Sequence, residues 1–256
     1  MKKLIAIFGC LSSLLARGES GVNGSSLGDY VILLHGLGRT RLSMSRIERV
    51  LQRENYRVIN VSYDSTRISV EAAAGKTLSK ILGEQVIDSS VRVHFVTHSL
   101  GGIVLRQYLS NHHIARLGRV VMLAPPNQGS ELADKLKENR LYKFLTGASG
   151  QQLGTCENSV PRRLGGANFE LGVVAGCRSL NPLFSRWIPG ADDGKVSVRS
   201  TKLEGMKDFL VVPYSHTWMA WRKPVLESIV IFLRNGRFNL SNANQGATSD
   251  PQSIIS

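Results

Sequence analysis

What the chain lacks narrows its class. Three cysteines in 256 residues are too few for a scaffold built on disulfides. No uncharged apolar run reaches the ~18 residues that a permanent membrane span needs. Acidic side chains are scarce, 19 Asp and Glu against 32 Lys and Arg, which leaves a net charge of +13. A field of that sign favours anionic partners such as phosphate surfaces, acidic lipid or acidic glycans, without choosing among them. Zinc-finger spacing, RNP-like runs and basic heptads are all missing, so no nucleic-acid partner is expected. With 42% hydrophobic and 20% charged residues there is ample material for a core. That excludes wholesale disorder and the collagen-like and coiled-coil classes. The length suits one large α/β domain.

The N-terminus has the pattern of an export signal. Met1-Lys2-Lys3 is a short positive start, and residues 4–16 (LIAIFGCLSSLLA) carry no charge. Residues 1–16 are therefore expected to be a signal peptide and 17–28 a Gly/Ser-rich leader, with the folded domain over 29–238 and a polar tail over 239–256. This implies export to the periplasm or beyond. Attachment through Cys10 as a lipoprotein, and a buried first element of the fold, are the competing readings. If exported, Cys156 and Cys177 would enter an oxidising compartment, where a disulfide between them would contribute roughly 3 kcal/mol. Two free buried thiols is the other arrangement open to them.

Strand and helix patterns alternate through the first half. Tyr30–Leu34 is a wholly apolar run ending at His35-Gly36, as in a strand buried on both faces. A helical pattern follows over 43–53, a strand over 57–61, a helix over 69–87 and a strand over 91–97. Then come a helix from Leu100, a strand over 119–124 and, in a less regular stretch, one helix over 131–145. The last strands are expected at 169–175 and 209–212, and a closing helix at 224–233. This order predicts an α/β class with a doubly wound, mostly parallel sheet flanked by helices and a small or absent cap.

The sharpest chemical signal is Val96-Thr97-His98-Ser99-Leu100-Gly101-Gly102, set between a strand and a helix. A serine on so tight a turn projects its hydroxyl out of the sheet. Small residues are needed two before and two after it. Gly101 supplies one, whereas Thr97 stands where glycine is commoner. A serine hydroxyl is a weak nucleophile and needs a base, which in turn needs an acid to orient it. Downstream lie Asp192-Asp193-Gly194 and then His216, the last histidine, between an apolar strand and the closing helix. Asp193 is the first choice for the acid, because Gly194 provides a turn to present it, and Asp192 is the alternate. Charge on a reacting carbonyl oxygen needs N–H donors. The Leu100 amide, and the Leu37 amide in His35-Gly36-Leu37-Gly38, stand where two such donors are required.

These segments resemble the α/β-hydrolase superfamily of the bacterial lipase and esterase kind. The matching stretches are 31–40 (VILLHGLGRT), 93–106 (VHFVTHSLGGIVLR), 120–134 (VVMLAPPNQGSELAD), 188–201 (IPGADDGKVSVRST) and 211–219 (VVPYSHTWM). The resemblance implies an enzyme that hydrolyses carboxylic esters through Ser99, His216 and Asp193. The oxyanion amides would be Leu37 and Leu100, with His35, Gly36, His98 and Gly101 as motif support. It implies no cofactor and no metal, and a small-molecule or lipid ester as substrate. Thioesterase, amidase or acyltransferase chemistry on the same triad, and a non-catalytic binding module on the same fold, are the alternatives. Leu132, Leu136, Leu141, Tyr142, Phe144 and Leu145 are candidates for an acyl pocket suited to short or medium chains, with simple cover for the sheet as the equal alternative. Arg39, Arg41, Arg46, Arg49 and Arg53 offer contact with an anionic head group or membrane surface, although an ordinary solvated helix face is the better reading of the last three. Trp187, Trp218 and Trp221 are read as packing residues.

Overall fold

The computed structural model describes residues 28–238. The expected signal segment, the leader apart from Gly28, and the polar tail lie outside the described residues. In chain order the elements are β1 (Tyr30–Leu34), α1 (Ser45–Arg53), β2 (Arg57–Val61), α2 (Val70–Glu84), β3 (Val93–His98), α3 (Leu100–Asn111) and β4 (Leu117–Leu123). Then follow α4 (Glu131–Leu136), α5 (Arg140–Gln151), α6 (Val160–Arg163), β5 (Leu171–Gly176), α7 (Pro182–Ser185), α8 (Val198–Thr201), β6 (Asp208–Val212) and α9 (Lys223–Asn235). Short 3-10 turns occur at Arg41–Met44 and Met219–Trp221.

Among the described residues six strands form one sheet in the order β2-β1-β3-β4-β5-β6, and every pair is parallel. Parallel strands need crossovers, and the helices supply them on both faces. The two-residue period of β1 sorts its side chains accordingly. Tyr30, Ile32 and Leu34 join one core layer with α2 and α3, while Val31 and Leu33 join the other with α1 and α9. Phe95 against Val96, and Met122 against Leu123, repeat this division in β3 and β4. The chain leaves β1 towards β2 and leaves β3 towards β4, in opposite directions. A crevice must therefore open beyond the C-terminal ends of β1 and β3, which is where open parallel sheets bind ligands.

Three expectations are corrected. The single helix over 131–145 is two helices, because Asn139 interrupts it and caps the second, its Oδ1 accepting the Tyr142 N–H at 2.9 Å. Cys156 and Cys177 are free and exposed, not paired and not buried. Cys156 lies in the turn before α6, whereas Cys177 continues β5, its N–H donating to the Val212 carbonyl. Trp221 packs against the core as expected, but Trp187 and Trp218 are about half exposed. No helix among the described residues is long and apolar enough to cross a membrane.

A buried cation holds the helix behind Ser99 in place. Arg106 on α3 is 4% exposed and has no carboxylate partner among the described residues. Its guanidinium donates instead to the Asn127 carbonyl and Oδ1, the Pro161 carbonyl and the Gly165 carbonyl, at 2.6–3.2 Å. Burial pulls its pKa down to about 10. Arg106→Leu would leave those acceptors buried without a donor, at a cost of roughly 3 kcal/mol or more. Urea denaturation of the variant should show that loss. An unchanged midpoint would mean that water or a rearranged loop replaces the guanidinium.

Candidate active site

Ser99 sits at the turn from β3 into α3 with φ 53° and ψ −120°, a conformation that side-chain-bearing residues rarely adopt. The surroundings impose it. The Ser99 N–H donates to the Leu123 carbonyl at 2.8 Å, and the Ser99 carbonyl accepts the Gly102 N–H at 3.0 Å. Glycine is required two residues on, because a Cβ at Gly101 would lie 2.5 Å from the Leu34 carbonyl oxygen. Thr97, the departure on the other side, is fully buried. A Cβ at residue 102 would stand 3.3 Å from its Oγ1, so Gly102 makes the room that Thr97 takes.

The structure brings three distant segments together at this serine. The His216 Nε2 lies 3.0 Å from the Ser99 Oγ, and the His216 Nδ1 lies 2.8 Å from the Asp193 Oδ2. The other Asp193 oxygen accepts the Lys195 and Val196 N–H groups at 3.0 and 2.9 Å. Asp192 is turned away. Its Oδ1 accepts the Gly194 N–H at 2.7 Å and the Ser185 hydroxyl at 3.0 Å, so it shapes the loop and does not meet the histidine. His98, expected only as motif support, does more than flank the serine. Its Nε2 donates to the His216 main-chain carbonyl at 2.9 Å, and the two rings lie 4.9 Å apart. The His216 N–H is itself fixed on the Asp193 carbonyl at 2.9 Å.

The loop after β1 closes over the same point. A Cβ at Gly36 would lie 3.2 Å from the Ser99 Cβ and 3.1 Å from the His98 Nδ1, so a side chain there would press on both residues. Among the described residues neither the Leu37 nor the Leu100 N–H donates to a protein acceptor, which leaves both available as a donor pair. Two residues that the sequence gave no reason to single out hold the loop. Tyr63 stacks on His35 and donates its hydroxyl to the His35 carbonyl at 2.6 Å, and the Ser65 hydroxyl accepts the Gly38 N–H at 3.0 Å. His35 donates from Nδ1 to the Gly36 carbonyl and accepts the Tyr63 N–H at Nε2, a pattern that needs a neutral ring.

Beside Ser99 lies a cavity of about 240 Å³. Leu132, Leu136, Tyr142 and Leu145 line it, as anticipated, together with Leu153. Leu141 and Phe144 face outward and are exposed. Among the described residues no cluster of three or more His, Cys, Asp or Glu side chains is arranged to hold a metal. Arg46, Arg49 and Arg53 are exposed on α1 away from this cavity, in a groove against α9.

Three histidines carry a pH liability. Burial lowers the pKa of His35 and of His94, and lowers that of His98 well below the ordinary 6.5. His94 lies at the far end of β3, accepting the Arg119 N–H at Nδ1 and facing the Asp29 carboxylate through Nε2. The unfolded chain therefore binds more protons than the native one below pH 6.5, so stability is full above that value and falls as the pH drops. His98, whose pKa is lowered furthest, should account for the largest share of that loss. The carboxylates with lowered pKa, Asp29 among them, act only at lower pH. Urea midpoints compared near pH 7 and near pH 5.5 check this, and a midpoint that holds or rises on acidification would refute it.

The sheet order, the strained turn and the flanking helices define the fold as that of the α/β-hydrolases. Within it, the chain belongs to the family described as Domain of unknown function (DUF7379), whose profile matches residues 16–167. That stretch includes Ser99 and the loop after β1 but ends before Asp193 and His216. No curated protein sequence matches the chain. Among solved structures it is similar to the mature form of the lipase BlEst2 from Bacillus licheniformis, at 17% identity and TM-score 0.66, covering 82% of this chain and 92% of that one. The metagenomic carboxyl esterase MGS0156 aligns at 18% identity and TM-score 0.65, over 85% and 81% of the two chains. The phospholipase PlaB from Legionella pneumophila aligns at 19% identity and TM-score 0.65, over 82% of this chain but 60% of its own. At these identities the likeness establishes the fold.

Proposed function

We propose that the protein is a serine hydrolase that cleaves carboxylic esters through an acyl-enzyme, with Ser99 as nucleophile, His216 as base and Asp193 as the acid that orients it. One observation carries this reading: the unbroken line from the Asp193 Oδ2 through the His216 imidazole to the Ser99 Oγ, with contacts of 2.8 and 3.0 Å. His216 Nε2 takes the Ser99 proton as Oγ attacks the carbonyl carbon, and the charge gathering on the carbonyl oxygen meets the Leu37 and Leu100 amides. The tetrahedral species collapses, the alcohol leaves with the proton from His216, and the acyl group remains on Ser99. Water, deprotonated by His216, then attacks the acyl carbon and releases the carboxylic acid and the free serine.

The lipases and esterases among the structural relatives support the same chemistry. The confined volume of about 240 Å³ and its Leu and Tyr lining favour short to medium acyl chains. A fluorophosphonate probe should label the protein on the peptide carrying Ser99, and nitrophenyl esters of increasing acyl length should show turnover that peaks before the longest chains. Folded protein that takes no label and hydrolyses no ester would overturn the proposal.

A further inference from the structure

Two cations stand at the cavity of Ser99 without a counter-ion. Arg39 and Lys195 both line it, one following the Leu37 loop and the other following Asp193. Their backbones are fixed. The Arg39 N–H donates to the Gly36 carbonyl, the Lys195 N–H donates to the Asp193 carboxylate, and the Lys195 carbonyl accepts the Ser130 hydroxyl at 3.1 Å. Among the described residues no carboxylate lies within ion-pair distance of either cation. The Arg39 side chain reaches only the Thr217 hydroxyl, at 3.2 Å. The nearest acid, Asp193, has its carboxylate occupied by His216 and two amides.

Arg39 and Lys195 are both exposed at the rim of a largely apolar pocket, where two like charges repel each other and an anion placed between them relieves that cost. Desolvation and the Arg39 charge lower the Lys195 pKa, with Asp193 opposing them, and the residue nonetheless stays exposed to an incoming anion. The side on which the anion would bind follows from the chemistry. His216 must pass its proton to the departing alcohol oxygen, so the alcohol half of the ester lies towards His216. Arg39 is tied to Thr217, the next residue, and Lys195 lies on the loop that presents Asp193. The Leu and Tyr wall is left for the acyl half.

We infer that Arg39 and Lys195 form an anion subsite on the leaving-group side, and that the substrates are esters of an apolar acyl chain with an alcohol bearing a phosphate. This rests on the ester-hydrolase reading above and adds the substrate class to it. A soluble phosphate ester and a phosphate-bearing lipid present the same chemistry to this pair.

The test compares hexanoylglycerol phosphate with neutral hexanoylglycerol, both as dissolved monomers. The ratio of their kcat/KM values should favour the phosphate by about tenfold or more at low salt, and shrink as salt screens the pair. Lys195→Gln and Arg39→Gln should each cut that ratio about fivefold, through KM, and Lys195→Arg should restore most of it. A ratio of one or below, or a ratio that neither variant changes, overturns the inference. So does a preference that appears only on anionic vesicles and is absent with the monomers, since that marks a surface effect. Binding to the Ser99→Ala variant, measured by titration calorimetry, separates this inference from the catalytic reading. Tighter binding of the phosphate ester that is lost in Lys195→Gln supports the subsite even if the wild type turns nothing over. Turnover of both esters without preference removes the subsite and leaves the hydrolase.

Discussion

Ser99→Ala is expected to lower kcat on a nitrophenyl ester by on the order of 10⁶ and to abolish fluorophosphonate labelling. The loss is this large because in the proposed mechanism one atom, Oγ, forms the covalent bond, and among the described residues no other hydroxyl is hydrogen-bonded to the His216 ring. The fold should survive. Among the described residues the hydroxyl makes a single hydrogen bond, to His216, while the backbone bonds that hold the turn belong to the Ser99 N–H and carbonyl. Alanine keeps both. Some rate above the uncatalysed reaction should remain, because the Leu37 and Leu100 amides can still polarise a carbonyl for attack by water. Wild-type turnover in the folded variant would refute the nucleophile assignment outright.

Asp193→Asn should cost about 10⁴ in kcat with little change in stability. The reason lies in what the two oxygens already do. Oδ1 accepts the Lys195 and Val196 N–H groups, so an asparagine must keep its oxygen there and turn its NH₂ towards His216. The Nδ1 then has to accept, which puts the ring proton on Nε2, the nitrogen that must take the serine proton. Asp192→Asn is the matched control. Its carboxylate accepts only the Ser185 hydroxyl and the Gly194 N–H through Oδ1, and an amide oxygen can accept both. Turnover near wild type is expected. Equal losses in the two variants, or none in Asp193→Asn, would remove the orienting role from Asp193.

The parts of this site that are local in sequence were readable from it. Tyr30–Leu34 declares a doubly buried strand by composition, and Ser99 followed by Gly101 declares the tight turn by spacing. The alternation of elements implies a parallel sheet, and such a sheet places its crevice at the strand ends. What stayed hidden are contacts made by single polar side chains across long separations. Tyr63 holds the His35 carbonyl, His98 holds the His216 carbonyl, and Arg106 gathers carbonyls from three segments. Each is a side chain meeting backbone, which leaves no periodicity and needs no matching partner type. The choice between Asp192 and Asp193 was open for the same reason, since neighbours on a turn point apart by an angle that composition does not specify. The broken helix at Asn139 was a readable cap signal outweighed by the apolar run around it.

Asp193 and His216, the acid and base of the proposed triad, follow β5 and β6, the last two strands in the chain. β6 is an edge strand, as β2 is on the other side, and pairs only with β5 among the described residues, and His216 follows it. An edge with one neighbour opens at lower cost than the middle of a sheet. As denaturant rises, inactivation should therefore precede the collapse of the central strands that carry Ser99. Trp218 and Trp221 lie in the same segment as His216, so tryptophan emission will follow the loss of activity more closely than circular dichroism does.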